Sequence, residues 1–339
     1  MIRYQGWDAA FFDALLDGYP LHLAASHGDV PEIHRLLDTG YNINELHLPR
    51  SNQMGFGSAL HIAVWCDQTA AFAALLERGA NMDILDERTP DERKVEDTPI
   101  RLAVRLGRRD MVRKMWRSGA QRHMYAKTSN LADRVTLLEV AAREGYPDIV
   151  GDMLSWKSDW TYDQRLNALR KACRAYDVDA DAGCTRLLLN DWQYDPEDLE
   201  EIACETIIHR VEGGGNLAKV IAALLDEHRG QVMGDNHAHQ DLLDLLLPGA
   251  AASQSQIESL RLLLQSGADP NAPIKKNAWT QSRFPLQLTL HFEQWDAQTR
   301  TFNVEGLKTM LDYGARTDIL YKDEKITLEN WRRENMGEL

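Results

Sequence analysis

Two histidines one residue apart, His237 and His239, are the residues whose types most readily suggest metal chemistry. Asp235 and Asp241 flank the pair, and imidazole and carboxylate groups both ligate Zn²⁺. However, side chains two positions apart do not face each other on a helix, and no cysteine follows at the spacing of a zinc site. The sequence therefore predicts no metal site and no other cofactor.

A glycine run and four cysteines are the next candidates for chemistry. The run at 213–215 is followed by Asn216 instead of the Lys-Ser/Thr ending of a P-loop, so we interpret it as a turn. No two cysteines form a CxxC pair, which favours a reducing compartment over a disulfide framework. The signature motifs of α/β-hydrolases, zincins and kinases are missing from the sequence. No familiar catalytic motif is therefore indicated.

The charge of the chain restricts its partners. The 38 Lys and Arg residues against 52 Asp and Glu residues give a formal net charge of −14 at pH 7. An acidic surface repels phosphate groups, which predicts no nucleic-acid and no membrane partner. The first residues lack the apolar run of a signal peptide, and no apolar stretch reaches the length of about eighteen residues that spans a bilayer. These features predict a soluble, intracellular protein located in the cytoplasm.

The elements that must position the polar residues follow a repeated pattern. The segment Tyr19-Pro20-Leu21-His22-Leu23-Ala24-Ala25 is followed by Gly28 and by a second apolar segment that ends at Gly40. Related segments begin at Ser58, Thr98, Thr136 and Phe284, and related endings occur at Gly79, Gly119, Gly267 and Gly314. The pattern resembles the ankyrin repeat, whose sequence runs Thr-Pro-Leu-His-x-Ala-Ala, a glycine turn, a Leu-Leu helix and Gly-Ala-Asx.

This resemblance implies an all-α fold, an ankyrin-repeat solenoid of about eight helix-turn-helix repeats with capping helices. We place an N-terminal capping helix at 1–18, the repeat array at 19–324 and a C-terminal capping helix at 325–339. The resemblance is weakest in 160–250, where Leu169 to Cys173 and Ile202 to Cys204 align on first helices. A single repeat cannot bury its apolar face, so the stability of such an array comes from stacked neighbours.

In ankyrin repeats the histidine of the Leu-His step makes structural hydrogen bonds, and the resemblance assigns this role to His22 and His61. Cys173 and Cys204 fall where the family has its second alanine, so we interpret both as buried filler.

The resemblance also implies a working surface, the concave groove between the first helices and the finger loops. Three long connections, 45–57, 86–97 and 272–283, fall at finger-loop positions, and aromatic and arginine side chains commonly anchor interfaces. The alternative for Trp65 is that it packs on its own loop. The predicted groove residues are Ser26, His27, Phe56, Trp65, Arg105, Arg134, Arg143, Glu144, Trp279, Arg283, His291 and Phe292.

Two functions from different classes remain open on the sequence alone. The first is a binding module that recognises a protein or peptide partner on the concave groove. The alternative is an enzyme with a small-molecule pocket formed there by the degenerate repeats and the long finger loops. His27, His291, Glu144 and Glu205 are then the acid–base candidates, and the sequence does not rank them.

Overall fold

The fold is built from helices throughout the part of the chain that the structure describes. A computed structural model describes residues 15–47, 55–86, 97–119, 135–156, 159–174, 182–208, 217–232, 236–253, 256–274, 284–290 and 303–336. Within these residues the chain forms seventeen helices and no extended β-strand, which confirms the all-α prediction. None of the helices described is long and apolar enough to cross a bilayer.

The chain divides into two compact units, 1–171 and 172–339, with the division inside one helix. Among its described residues, unit 1 contains four helix pairs and most of a ninth helix. Its helices are α1 (Pro20–His27), α2 (Val30–Asp38), α3 (Ala59–Trp65), α4 (Thr69–Glu77), α5 (Pro99–Arg105), α6 (Arg109–Arg117), α7 (Leu137–Glu144), α8 (Pro147–Trp156) and α9 (Tyr162–Cys173).

Unit 1 is a stack of two helix layers. The first helices of the pairs, α1, α3, α5 and α7, contact one another in succession, and each packs on its own second helix. The second helices also make contacts between pairs, α2 with α4 and α6 with α8. The core between the layers is apolar, and α3 is buried along its whole length. A single helix pair leaves its apolar faces exposed, and this two-layer packing buries them against the neighbouring pairs.

Local sequence signals explain where these helices begin and end. Thr98 and Thr136 cap α5 and α7 by accepting the backbone N–H of the third helical residue, at 3.4 Å and 3.1 Å. Pro20 and Pro99 occupy the first turns of α1 and α5, where their missing N–H groups have no helical partner to lose. The predicted left-handed glycines follow the second helices, with φ values of 95°, 83°, 96°, 103° and 85° at Gly40, Gly79, Gly119, Gly267 and Gly314.

Unit 2 repeats the same arrangement. Its helices are α10 (Gly183–Asp191), α11 (Pro196–Ile208), α12 (Leu217–Gln231), α13 (Asn236–Ala251), α14 (Ile257–Gln265), α15 (Pro285–Leu290), α16 (Val304–Asp312) and α17 (Lys322–Met336). First helices α11, α13 and α15 contact in succession, second helices α10, α12, α14 and α16 do the same, and α17 packs on α15. The segments aligned on helices in 160–250 are helical in the structure.

In the described part of the chain, sixteen helices precede α17, which agrees with the prediction of about eight helix-turn-helix repeats. Helix α17 overlaps the segment 325–339 that the sequence assigns to the C-terminal cap. Of the predicted N-terminal cap at 1–18, residues 1–14 lie outside the described residues.

Candidate binding surface

Buried histidines connect consecutive repeats in unit 1. The Nε2 atom of His22 lies 3.1 Å from the carbonyl oxygen of Gly57, and Nε2 of His61 lies 3.1 Å from that of Asp97. Because a carbonyl oxygen only accepts, Nε2 is the protonated nitrogen in both rings. Nδ1 of His61 accepts the backbone N–H of Ser58 at 3.1 Å. The structural role predicted for both histidines is confirmed, and burial lowers the pKa of His22 to about 4.

The same carbonyl groups belong to the bases of two predicted finger loops. The backbone N–H of His47 donates to the carbonyl of Gly57 at 2.8 Å, and that of Phe56 donates back to His47 at 3.3 Å. At the next loop, the N–H of Asp86 donates to the carbonyl of Asp97 at 3.1 Å, and the N–H of Asp97 donates to Oδ1 of Asp86 at 3.0 Å. The histidines thus fasten each loop base to the preceding first helix.

Charged side chains gather where α5 and α7 end. Arg105 donates from Nη1 to Oδ2 of the fully buried Asp97. Arg143 donates from Nε and Nη2 to Oε1 of Glu144, at 3.2 Å and 2.7 Å. The side chains of Arg105, Arg143 and Glu144 keep 18%, 30% and 14% of their area exposed. The structure therefore brings three predicted groove residues to neighbouring first helices, partly open to solvent.

A third arginine, Arg101, belongs to this cluster, and the sequence reasoning did not single it out. Its Nε atom lies 3.1 Å from Oδ1 of Asp97, and only 4% of the residue is exposed. Burial lowers the pKa of the Arg101 guanidinium below its ordinary value, Asp97 opposes this, and the charges of Arg105 and Arg143 lower it further. The signal was present in Thr98-Pro99-Ile100-Arg101, where arginine stands in the position that His22 and His61 hold in earlier repeats.

Three other predicted groove residues are buried. Ser26 is 0% exposed and donates from Oγ to the carbonyl of Leu23 at 2.8 Å. Phe56 and Trp65 are 3% and 4% exposed. These three side chains offer almost no area to a partner in this structure. His27, by contrast, is exposed at the end of α1.

The remaining predicted groove residues stay predictions, because they lie outside the described residues. They are Arg134, Trp279, Arg283, His291 and Phe292.

One family model matches the first helix pairs of unit 1. The family model described as ankyrin repeats (many copies) matches residues 21–76. These residues include α2 and α3 completely and most of α1 and α4. Residues 21–76 therefore match ankyrin repeats. Among solved structures, the human ASB11 ankyrin repeat domain is 18% identical over 88% of this chain and 98% of that chain, with a TM-score of 0.40. An ankyrin repeat domain from Acinetobacter baumannii AYE is 20% identical over 88% of this chain and 100% of that chain, with a TM-score of 0.35. Comparison with curated proteins gives no match.

Asparagine contacts link neighbouring helix pairs at the turns that follow the second helices. In unit 1, Oδ1 of Asn44 accepts the backbone N–H of Asn81 at 2.9 Å. In unit 2, Oδ1 of Asn271 accepts the backbone N–H of Arg316 at 2.8 Å. The recurrence of this contact shows that the turns after Gly79 and Gly314 occupy equivalent positions within their own units.

The cysteine of the degenerate repeat at α9 is buried, as predicted. Cys173 is 1% exposed, and its Sγ lies 4.0 Å from Oγ1 of Thr185. Burial raises the pKa of the Cys173 thiol to about 12. A thiol that stays protonated at neutral pH is a poor nucleophile, so the residue serves packing.

The histidines of α12 and α13 meet in unit 2. Nδ1 of His239 lies 3.5 Å from Nδ1 of the fully buried His228, whose Nε2 lies 3.2 Å from Oε1 of Glu200. Among the described residues no group of three or more His, Cys, Asp or Glu side chains is arranged to hold a metal ion.

Of the acid–base candidates for an enzyme, Glu144 pairs with Arg143, and Glu205 lies 2.7 Å from Nη2 of Arg174.

Proposed function

We propose that this chain is a binding module for a protein or peptide partner, which it recognises on one surface of unit 1. The surface is formed where the first helices end, and we call it the first-helix surface; its residues are His27, Cys66, Arg105, Leu106, Arg143 and Glu144. Ankyrin repeats are generally protein–protein interaction modules, and that general role supports the proposal.

The observation that carries the proposal is the recurrence of accessible side chains at one register position in four consecutive repeats. His27 is exposed, and Cys66, Leu106 and Glu144 are half-buried, each at the end of a first helix. The helices that carry them contact in succession, so the four positions form one continuous strip. Arg105 and Arg143 precede Leu106 and Glu144 by one residue, so arginine side chains border the strip, and arginine commonly anchors interfaces.

The histidine hydrogen bonds give this strip a fixed geometry. His22 and His61 hold the bases of the next repeats' loops, so the spacing between the first helices does not depend on surface side chains. A preorganised surface loses less conformational entropy when a partner binds, which favours affinity. Asp97, at the base of the second loop, also pairs with Arg105 of the first-helix surface.

A capture experiment with two matched variants tests the proposal. The first-helix variant combines His27→Ala, Leu106→Ala and Arg143→Ala. The second-helix variant combines Glu77→Ala, Lys114→Ala and Arg117→Ala, which are exposed on α4 and α6. With histidine neutral, each variant changes the formal charge by −1, so general electrostatics are matched. Immobilised full-length protein is exposed to lysate, and retained proteins are quantified by mass spectrometry.

We expect at least one protein to be retained by the unaltered chain and by the second-helix variant, and lost from the first-helix variant. Circular dichroism and thermal unfolding of both variants check that each is folded. Equal retention by both variants, or loss from the second-helix variant alone, contradicts the proposed surface.

A further inference from the structure

The turns between the first and second helices of unit 1 share one backbone conformation. The residue after each turn donates its N–H five positions back, for example from Gln68 to the carbonyl of Ala63 at 2.9 Å. Each turn contains a residue with positive φ, and the values are 73°, 57°, 70° and 78° at Gly28, Asp67, Gly107 and Gly145. The left-handed conformation favours glycine, so Asp67 is the exception among these four turns.

Two of the glycine turns are covered by a side chain of the next repeat. Nε2 of Gln68 donates to the carbonyl of Ser26 at 3.0 Å, and a Cβ atom on Gly28 would lie 2.5 Å from Oε1 of Gln68. The ring of Tyr146 covers Gly107 in the same way, because a Cβ atom there would lie 2.7 Å from Cε1. Each covering side chain therefore occupies space that only glycine leaves open.

The turn at Asp67 is held by an ion pair. Arg108 occupies the same register position as Gln68 and Tyr146, directly after the positive-φ residue of its own repeat. Its Nη1 donates to Oδ2 of Asp67 at 2.7 Å, and the side chains of Arg108 and Asp67 are 31% and 52% exposed. Salt screens an exposed ion pair much more than it affects a packed contact. Of the junctions α1–α3, α3–α5 and α5–α7, the middle one is therefore the most sensitive to its ionic surroundings.

This middle junction lies within the first-helix surface. Asp67 follows Cys66 directly, and Arg108 follows Leu106 by two residues, so the ion pair joins the ends of α3 and α5. The buried histidines hold the beginnings of the first helices, so the ends are held separately by these turns. An exposed ion pair is weak and opens readily. Because aspartate is less favourable than glycine in the left-handed region, the turn relaxes more easily once the pair has opened.

We infer that Gln68, Arg108 and Tyr146 are positioning residues of the first-helix surface, and that this surface is adjustable at its middle junction. Gln68 and Tyr146 hold the junctions on either side by packing on glycine, whereas opening of the Asp67–Arg108 pair releases the end of α3. Because that end carries Cys66, the middle of the surface can change its fit to a partner while the glycine turns stay closed. This consequence rests on the proposed function, whereas the structural claim concerns the turns alone.

Hydrogen exchange of backbone amides in the full-length protein tests the inference without a partner. Overlapping peptides analysed by mass spectrometry report the amides at 28–29, 67–68 and 107–108, each of which closes one turn. Exchange is compared at about 0.1 M and about 1 M NaCl, where the Debye length is about 10 Å and about 3 Å. We expect exchange at 67–68 to become about twofold faster or more in high salt, relative to the other two turns.

Three variants separate positioning from general stability, with exchange corrected for the intrinsic rates of the changed sequences. Arg108→Gln removes the ion pair, so protection at 67–68 should fall by a similar factor in low salt and lose its salt response. Asp67→Gly combined with Arg108→Gln rebuilds a glycine–glutamine junction like that of α1 and α3, and should restore protection without salt dependence. Arg78→Gln is the matched control, because it makes the same charge change and removes an exposed ion pair with Asp38 between second helices. It should leave exchange at 67–68 as it is in the unaltered chain.

Three results overturn the adjustable junction: no larger salt response at 67–68 than at the other turns, a salt response that persists in the double variant, or loss of that response in Arg78→Gln. If Arg108→Gln fails to fold, the unaltered chain and the double variant decide the question. Failure of the capture comparison between the two surface variants contradicts the proposed function instead, and it leaves the exchange result at the turns unaffected.

Discussion

At the scale of single residues, the close approach of neighbouring side chains restricts which residue can stand at position 57. Gly57 has φ of 74° and carries the carbonyl that His22 binds. A methyl group on its Cα would lie 2.7 Å from Nδ1 of His61 and 2.9 Å from Cβ of Asp86. Glycine is therefore required at position 57 for two reasons: the backbone conformation is left-handed, and the neighbouring side chains leave no room for a Cβ atom.

We expect Gly57→Ala to destabilise unit 1 more than Gly40→Ala. Gly40 has φ of 95°, but a methyl group there would have no described heavy atom within 4 Å, so only the left-handed conformation is penalised. That penalty is about 1 kcal/mol, and overpacking at Gly57 adds about 1–3 kcal/mol. Urea unfolding followed by circular dichroism measures both; equal losses in the two variants would show that the close approach at Gly57 is not real.

The His22 imidazole makes the stability of unit 1 depend on pH. Its pKa is lowered from 6.5 to about 4 by burial, and the neighbouring His47, with ring centroids 6.4 Å apart, lowers it slightly further. The folded state thus binds this proton less readily than the unfolded state. Its contribution is complete above about pH 6.5 and is lost as the pH falls toward 4, by about 3 kcal/mol in total.

His22→Gln removes this titration and keeps a donor for the carbonyl of Gly57. Between pH 7 and pH 5 the unfolding free energy of the unaltered chain should fall more than that of His22→Gln. Parallel pH profiles for the two proteins would contradict the role assigned to His22.

At the scale of the elements, the second helices of unit 1 are joined by an ion cluster. Asp152 on α8 accepts from Nε and Nη2 of Arg109 and of Arg113 on α6, at 2.7–3.1 Å. Partial burial raises the pKa of Asp152, but the hydrogen bonds from Arg109 and Arg113 outweigh it and lower that pKa to about 2. The carboxylate therefore stays ionised and links the two repeats over the physiological pH range.

We expect Asp152→Asn to lower the unfolding free energy by about 1 kcal/mol, because four charge-assisted hydrogen bonds are weakened in a partly exposed site. Asp148→Asn is the matched control. Asp148 is 75% exposed and lies 3.4 Å from Arg109, so its replacement should cost less than about 0.5 kcal/mol. Thermal unfolding at low and high salt measures both, and the difference should shrink at high salt. A larger loss in Asp148→Asn would contradict this account of the α6–α8 contact.

Helices were predictable from this sequence because their signals are local. The caps at Thr98 and Thr136 and the left-handed glycines fix where helices begin and end, and even the degenerate segment 160–250 keeps its apolar spacing. Burial of Phe56 was not predictable, because it depends on how loop bases pack between repeats. For Trp65, the sequence left a packed side chain open as the alternative to a groove residue, and the structure buries it. The contact of Arg101 with Asp97 was likewise not predictable, because it depends on how the loop base folds against α5.

At the scale of the molecule, an acidic chain carries a local arginine cluster. The formal charge is −14, yet Arg105 and Arg143 lie partly exposed at the ends of neighbouring first helices of unit 1, each beside a carboxylate.

Site-specific photo-cross-linking tests most directly whether the partner contacts the first-helix surface. Benzoylphenylalanine is placed singly at His27 or Leu106 and, for comparison, at Lys114 or Arg117 on the second helix α6. The chain is irradiated in cells that express it, and adducts are identified by mass spectrometry. The account predicts the same partner in adducts from His27 and Leu106, and none of it from Lys114 or Arg117. Adducts of the partner formed from the α6 positions alone would contradict it.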